Sequence, residues 1–257
     1  MEPLKEEVRH FWDRSPCGTT EVALAEGSRP FFEALERNRY QGEQFIPDLV
    51  QFERWKDRTV LEIGCGAGVD LVRFARSGAR IIGVDLSVHS LRLASRWLSL
   101  NGLPATVLQS DAETLPFKEN SFDLIYSWGV LHHTPDTSRA IREAIRVCKP
   151  GGDLLVMLYN RRSLVALQVW LRFGLFRGRP FADLRRLLAQ HMESPGTRAF
   201  TREEAGRLFS GMKEIHVQPV VTRFDLRLGQ RRFLPKFLHH FVPSGLGWFL
   251  VIRARKP

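Results

Sequence analysis

Between residues 59 and 159 the chain alternates short apolar runs with amphipathic stretches. "TVLEIG" from Thr59 reads as a buried strand, and "RIIGVDL", "ATVLQSD", "FDLIYSW" and "DLLVMLY" predict four more. Between them, "GVDLVRFARSG", "HSLRLASRWLSLNG" and "TSRAIREAIRVC" carry helical periodicity. The first is ended by Gly78 and the last by Lys149-Pro150-Gly151-Gly152. Strands alternating with helices over short connections predict an α/β domain, a parallel sheet wrapped by helices. The first 56 residues read as a helical cap. In it "RPFFEALERNRY" brings Phe31, Phe32, Leu35 and Tyr40 near one face, and "DLVQFERW" resumes the pattern after Pro47. After Tyr159 the rhythm changes. Roughly forty basic and apolar residues of helical character precede a strand candidate, "EIHVQPVVTR", and an insertion then leads to a last one, "GWFLVIRARKP". The expected division is a cap (1–56), a Rossmann-like core (57–159), and insertion helices plus the last two strands of the same domain (160–257).

The first strand breaks into Gly64, Gly66 and Gly68 as it meets a helix. Glycine lets backbone approach a ligand there, because it lacks Cβ and tolerates positive φ. A dinucleotide fingerprint asks for glycine or alanine at the sixth position, where this chain has Val69. That residue argues against a nicotinamide cofactor and its oxidoreductase chemistry. Asp85 ends the second strand, 19 residues after Gly66, where a carboxylate would accept from both hydroxyls of a ribose. Its alternative role is to cap the next helix, a position Ser87 also fits.

Four segments in order, "VLEIGCGAG", "GVDLS", "SDAETLPFKENSFDLIYSWGVLHH" and "RVCKPGGDLLV", resemble the class I S-adenosylmethionine-dependent methyltransferases, closest to the small-molecule, type 11-like group. The resemblance covers about residues 58–158 and implies a doubly wound seven-stranded sheet whose last strand is antiparallel. It implies S-adenosyl-L-methionine as cofactor, with Glu62, Gly64, Cys65 and Gly66 around the methionine part. It places Asp85 on the ribose, Leu86 beside the adenine, and Asp111 with Ala112 on the adenine amino group and ring. Ser127 and Trp128 then flank the amino-acid end. Tyr40, with Arg39, falls where a cap helix covers the methionine carboxylate in such enzymes, or else simply packs that helix.

Methyl transfer is an in-line displacement on an already activated cofactor, so the protein chiefly aligns the reactants and excludes water. A base is needed only where the nucleophile carries a proton. His132 and His133 follow the fourth strand at the carboxyl edge of the sheet, and His133 is the favoured candidate. The same segment, "HHTPDTSRA", also reads as a helix start with Thr134 as N-cap and Pro135 first in the helix, and a histidine there could merely tie the loop. Trp12, Tyr159 and Asn160 are candidates for the substrate pocket.

Charge then adds one asymmetry. The chain carries +10 overall, but residues 160–257 balance at +13 and the first 159 at −3. The basic part suits an anionic substrate, a membrane surface or nucleic acid, or serves solubility alone. The segment with Arg231, Arg232, Phe233, Leu234, Lys236, Phe237, Leu238, Phe241 and Val242 mixes cations with large apolar groups. It suits a lid on the protein's own core or over a lipophilic substrate, or a peripheral membrane contact. The usual Asp/Asn-Pro-Pro-aromatic motif of base-nitrogen methylation is absent, and nucleic acid is a minor expectation. Cys17, Cys65 and Cys148 match no metal spacing and suggest a reduced, cytoplasmic protein, with no metal and no obligate protein partner inferred. No signal peptide or spanning segment is legible. The leading expectation is methyl transfer to a small, lipophilic or secondary-metabolite acceptor. The alternatives are a non-catalytic cofactor-binding module and an RNA methyltransferase.

Overall fold

The computed structural model describes residues 3–228, 232–233 and 241–257. Seven strands form one sheet: β1 (Thr59–Ile63), β2 (Arg80–Asp85), β3 (Thr106–Gln109), β4 (Phe122–Trp128), β5 (Cys148–Tyr159), β6 (Lys213–Val220) and β7 (Phe249–Arg255). Their order is β3-β2-β1-β4-β5-β7-β6. The first five pair in parallel, and β7 runs antiparallel to both β5 and β6. Chain order reverses between β1 and β4, so their carboxyl ends open the crevice where such sheets take ligands.

Nine α-helices surround the sheet among the described residues: α1 (Pro3–Arg14), α2 (Arg29–Gly42), α3 (Ile46–Val50), α4 (Val69–Arg76), α5 (Val88–Asn101), α6 (Thr137–Val147), α7 (Leu164–Phe173), α8 (Leu184–His191) and α9 (Arg202–Leu208). Strand residues alternate between two apolar layers. Val60, Leu124 and Tyr126 join Phe32, Phe74 and Trp97 of α2, α4 and α5; Leu61, Ile63 and Ile125 join Ile141 and Ala144 of α6. Phe32 stacks on Trp97 with ring centroids 5.0 Å apart, locking the cap onto the core. A third cluster at the carboxyl end joins Met157, Tyr159, Trp248 and Phe249 to Val169 of α7 and Leu187 and Leu188 of α8.

Two local expectations change. Leu131–His133 form a 3-10 turn with Thr134 at its C-terminal end, and α6 starts after Asp136, whose carboxylate accepts from Arg139 N. Thr134 instead turns its hydroxyl back to donate to Leu131 O at 2.8 Å, and the Asp136 carboxylate takes the N-cap role two residues later. The fifth strand starts earlier than "DLLVMLY", with a register irregularity opposite Phe122–Leu124. Of the basic–apolar insertion, Arg231, Leu234, Lys236, Phe237 and Leu238 lie outside the described residues. No helix among the described residues is long and apolar enough to cross a membrane.

Candidate active site

The cradle is built by the turn from β1 into α4. Gly64 has φ +78°, and a Cβ there would lie 2.2 Å from the Val130 side chain. Gly66 has φ +52°, and a Cβ there would meet no protein atom within 4 Å. Its face is open, and it fronts a cavity of about 590 Å³, a size that accommodates small ligands. Asp85 closes the cradle: Oδ2 accepts from Gly66 N at 2.9 Å and Oδ1 from Ser87 N at 2.8 Å. The helix after β2 is capped by Ser87, which accepts from Ser90 N, so Asp85 is spent on the loop and the cavity. Burial pushes the Asp85 carboxyl up, against the pull of those backbone N–H groups.

Leu86, Asp111 and Ala112 line the far end of the same cavity. Asp111 is already engaged: Lys5 of α1 donates to Oδ2 at 2.7 Å and Glu113 N donates to Oδ1 at 2.9 Å. Lys5 also reaches Glu113 at 2.8 Å. Desolvation works against its ammonium, but the two carboxylates outweigh it and hold its proton more tightly than usual. The first helix is thereby latched across the cavity, with Val8 and Trp12 facing in.

Not every expected residue reaches the lumen. Glu62 sits behind the cradle, 4 % exposed, with Oε2 unpaired; burial, then the Asp70 charge, push its carboxyl well up. Cys65 packs under β2 against Gly83. Ser127 is fully buried and donates to Ile63 O at 3.0 Å, tying β4 to β1. Tyr40 does not line the cavity: its hydroxyl donates to Asp70 Oδ1 at 2.8 Å. Arg39 lines it instead, donating to Asp70 at 2.7 Å and pairing with Glu43 at 3.0 Å. Trp128 lines it too, its indole N–H on Glu43 at 2.8 Å. Asn160 fastens a loop, donating to Gly247 O at 2.8 Å and Gly245 O at 3.2 Å.

The two histidines separate in role. His132 is fully buried, packs tilted against Tyr159 with ring centroids 3.8 Å apart, and lies outside the cavity wall. Burial drives its proton affinity well down. His133 lines the cavity with Trp12 edge-on at 5.4 Å. Its Nδ1 lies 2.8 Å from Ser194 Oγ and 3.0 Å from Thr197 Oγ1. Thr197 spends its hydroxyl proton on Ser194 O at 2.7 Å, so toward the ring it presents only a lone pair. A bare Nδ1 would face that lone pair without a proton between them. The arrangement closes when Nδ1 carries the hydrogen and Ser194 turns its own toward Thr197, 3.3 Å away. That leaves Nε2 bare, buried and unpartnered. Desolvation alone lowers the ring to about 3, so it is neutral at physiological pH.

Beyond His133 the cavity widens among Tyr159, Gln168, Phe173, Glu193, Phe224 and Trp248. Tyr159 stacks on Trp248 at 4.2 Å and donates to Glu193 at 3.0 Å. Burial pushes the Glu193 carboxyl up against that hydrogen bond. Glu43, Glu193, Ser194 and Thr197 carried no sequence signal; a carboxylate-bearing turn after an amphipathic helix has no motif. Buried carboxylates around an open glycine face fit a ligand that combines a cation with a ribose and a purine.

The reversed strand order with an antiparallel last strand, over a glycine cradle and a carboxylate at the end of β2, matches the Rossmann-like, class I methyltransferase fold. Residues 61–156 match the methyltransferase domain family, and this likeness indicates S-adenosyl-L-methionine as the cofactor. It is 34% identical over 157 residues to norajmaline N-methyltransferase of Rauvolfia serpentina, covering 60% of this chain and 51% of that one. The chain thus spans about half the length of that relative. It is 29% identical over 171 residues to demethylmenaquinone methyltransferase of Thermobifida fusca (strain YX), covering 66% of this chain and 69% of the other. Among solved structures it resembles a SAM-dependent methyltransferase of Thermotoga maritima described as a possible histamine N-methyltransferase. The TM-score is 0.60 at 23% identity, over 97% of this chain and 100% of that one.

Proposed function

We propose that this protein methylates an oxygen or nitrogen of a small amphiphilic acceptor. One observation carries the reading: a single cavity joins the Gly64–Gly66 cradle and Asp85 to a chamber walled by Trp12, Trp128, His133 and Tyr159. When bound, S-adenosylmethionine supplies a methyl group already activated by a sulfonium. That methyl would pass to the acceptor lone pair as the carbon–sulfur bond breaks and its electron pair stays on sulfur. Gly64 and Gly66 would support the methionine part, Asp85 the ribose, and Leu86, Asp111 and Ala112 the adenine. Arg39, tied to Asp70 and Glu43, is poised at the amino-acid end, the place first assigned to Tyr40.

His133 orients the acceptor. Its Nε2, sealed from the cavity in this structure, would accept a hydrogen bond from the O–H or N–H to be methylated once the ring or the neighbouring Trp12 shifts, turning the lone pair toward the methyl. A ring of such low proton affinity does not take that proton in the ground state. The proton turns strongly acidic as positive charge develops on the nucleophile, and the ring receives it then. The aromatic walls exclude water and match apolar acceptors, in keeping with the quinone and alkaloid named for the two relatives.

The test is to incubate the protein and a cell extract with trideuteromethyl-labelled cofactor and search small molecules by mass spectrometry. Acceptors gaining the labelled methyl only with active protein support the reading. Cofactor binding without any labelled product in extracts of several kinds would favour a binding module.

A further inference from the structure

The hairpin of α7 and α8 shows a different surface outside the cavity. Its tip, residues 174–183, exposes Phe176 at 77% and Phe181 at 98%. On the same side Leu167 and Leu175 are 47% and 39% exposed, and Trp170 and Leu171 are half-buried. Leu167, Trp170, Leu171 and Leu175 recur at helical spacing, so they form a stripe along the outer face of α7 that runs into the tip. Two phenylalanines so exposed on one loop gain little for folding and call for an apolar partner.

Arginines surround this apolar edge: Arg177, Arg179, Arg185 and Arg186, with Arg172 at its border with the cavity, against one acid, Asp183. Asp183 is used as the N-cap of α8, accepting from Arg185 N. Arg185 reaches Glu204 at 3.0 Å. Arg172, Arg177, Arg179 and Arg186 have no carboxylate partner among the described residues. Arg172 and Arg177 lie over the Phe173 ring, 5.0 and 5.1 Å from its centroid. Exposed aromatics with a collar of unpaired cations match the interface of an anionic bilayer, where rings enter the headgroup boundary and guanidinium groups meet phosphates.

The inner face of the same helix completes the argument. Val165, Gln168, Val169 and Phe173 of α7 line the cavity, while its outer face ends at the tip. We propose that the α7–α8 tip docks on an anionic lipid surface and sets the acceptor end of the cavity beside it. The docking stands on the surface alone. Placing the acceptor end there rests on the proposed function, and would let an amphiphile pass from the bilayer along α7 without crossing water.

The test is sedimentation of the full chain with vesicles of phosphatidylglycerol and phosphatidylcholine, against phosphatidylcholine alone, at low and at high salt. Binding is expected to anionic vesicles only, and to weaken with salt. Removing Arg177 and Arg179 together as R177E/R179E is expected to weaken it at least twentyfold, from about fivefold per arginine. F176S/F181S is expected to weaken it at least tenfold with an unchanged melting temperature, since both rings are exposed. No binding at low salt, or binding that both variants leave intact, overturns the proposal. So does a dimer in sedimentation velocity that F176S/F181S dissociates while vesicles bind nothing, which would assign the tip to a second copy. Vesicle binding requires neither cofactor nor turnover, so its failure leaves methyl transfer standing, and the reverse holds.

Discussion

Between pH 7 and pH 5 the His133 ring is expected to remove about 2 kcal/mol from the stability of the folded protein. Folded, the ring is lowered to about 3 by desolvation; unfolded, it titrates at its ordinary 6.5. The unfolded chain therefore binds a proton that the folded chain refuses. A depressed pKa means stability that is fully present above 6.5 and is lost progressively as pH falls toward 3. Each pH unit within that window is worth about 1.4 kcal/mol, and pH 5 lies one and a half units inside it. The assay is urea unfolding of wild type and His133→Asn at both pH values; asparagine can keep a donor near Thr197. Other groups contribute in both proteins, so the signal is the difference of differences: the variant should lose about 2 kcal/mol less on acidification. Nitrogen-15 spectra of the ring, identified by its absence in the variant, should show Nδ1 protonated. They should also show a mixed tautomer in Ser194→Ala/Thr197→Val but not in Thr197→Ser. Equal acid losses in both proteins, or an Nε2-protonated ring in the wild type, would refute the burial and the tautomer on which the acceptor's orientation depends.

Four further outcomes follow from the cradle and its supports. Gly66→Ala should still fold, since its Cβ meets no protein atom, at a backbone cost of about 1–2 kcal/mol for an L residue in the left-handed region, and should abolish cofactor binding in calorimetry by filling the face; Gly64→Ala should lower the melting temperature further, because its Cβ also collides with Val130. Asp85→Asn turns an amide against Gly66 or Ser87 N–H and should weaken cofactor binding about thirtyfold, near 2 kcal/mol. Asp70→Asn should cost about 3 kcal/mol in urea unfolding. The buried Asp70 carboxylate accepts from Arg39, Tyr40 and Tyr126, and its loss leaves the buried Arg39 charge with Glu43 alone; an unchanged midpoint would show that solvent reaches the pair.

The parts of the fold legible in the sequence are those built from local rules. Apolar runs at strand length, the Gly64–Gly66 break and the spacing to Asp85 are set within a few residues of one another, so periodicity and motif suffice. The ambiguity at Asp85 was also local, and the Ser87 cap resolves it. What stayed hidden depends on chain segments meeting from afar. Ser194 and Thr197 stand 61 and 64 residues from His133, and Lys5 stands 106 from Asp111. No pattern in "HMESPGTRAF" announces a tautomer, and a lone lysine in an amphipathic helix reads as a solvated face. Tyr40 was placed correctly on its helix, but one residue decides the matter: Arg39 turns inward, while the Tyr40 hydroxyl is held by Asp70. His132 and His133 share a turn and differ by one step in the same way, and only His133 opens on the cavity.

The most direct test is to give methyl-radiolabelled S-adenosylmethionine to wild type and Gly66→Ala with cell extract, and to count organic-soluble, polar, RNA and protein fractions. Wild type should put label into the organic-soluble or polar small-molecule fraction, and Gly66→Ala should put none there. Label in RNA, or none in any fraction from a wild type that binds the cofactor, would contradict small-molecule methyl transfer in this cavity.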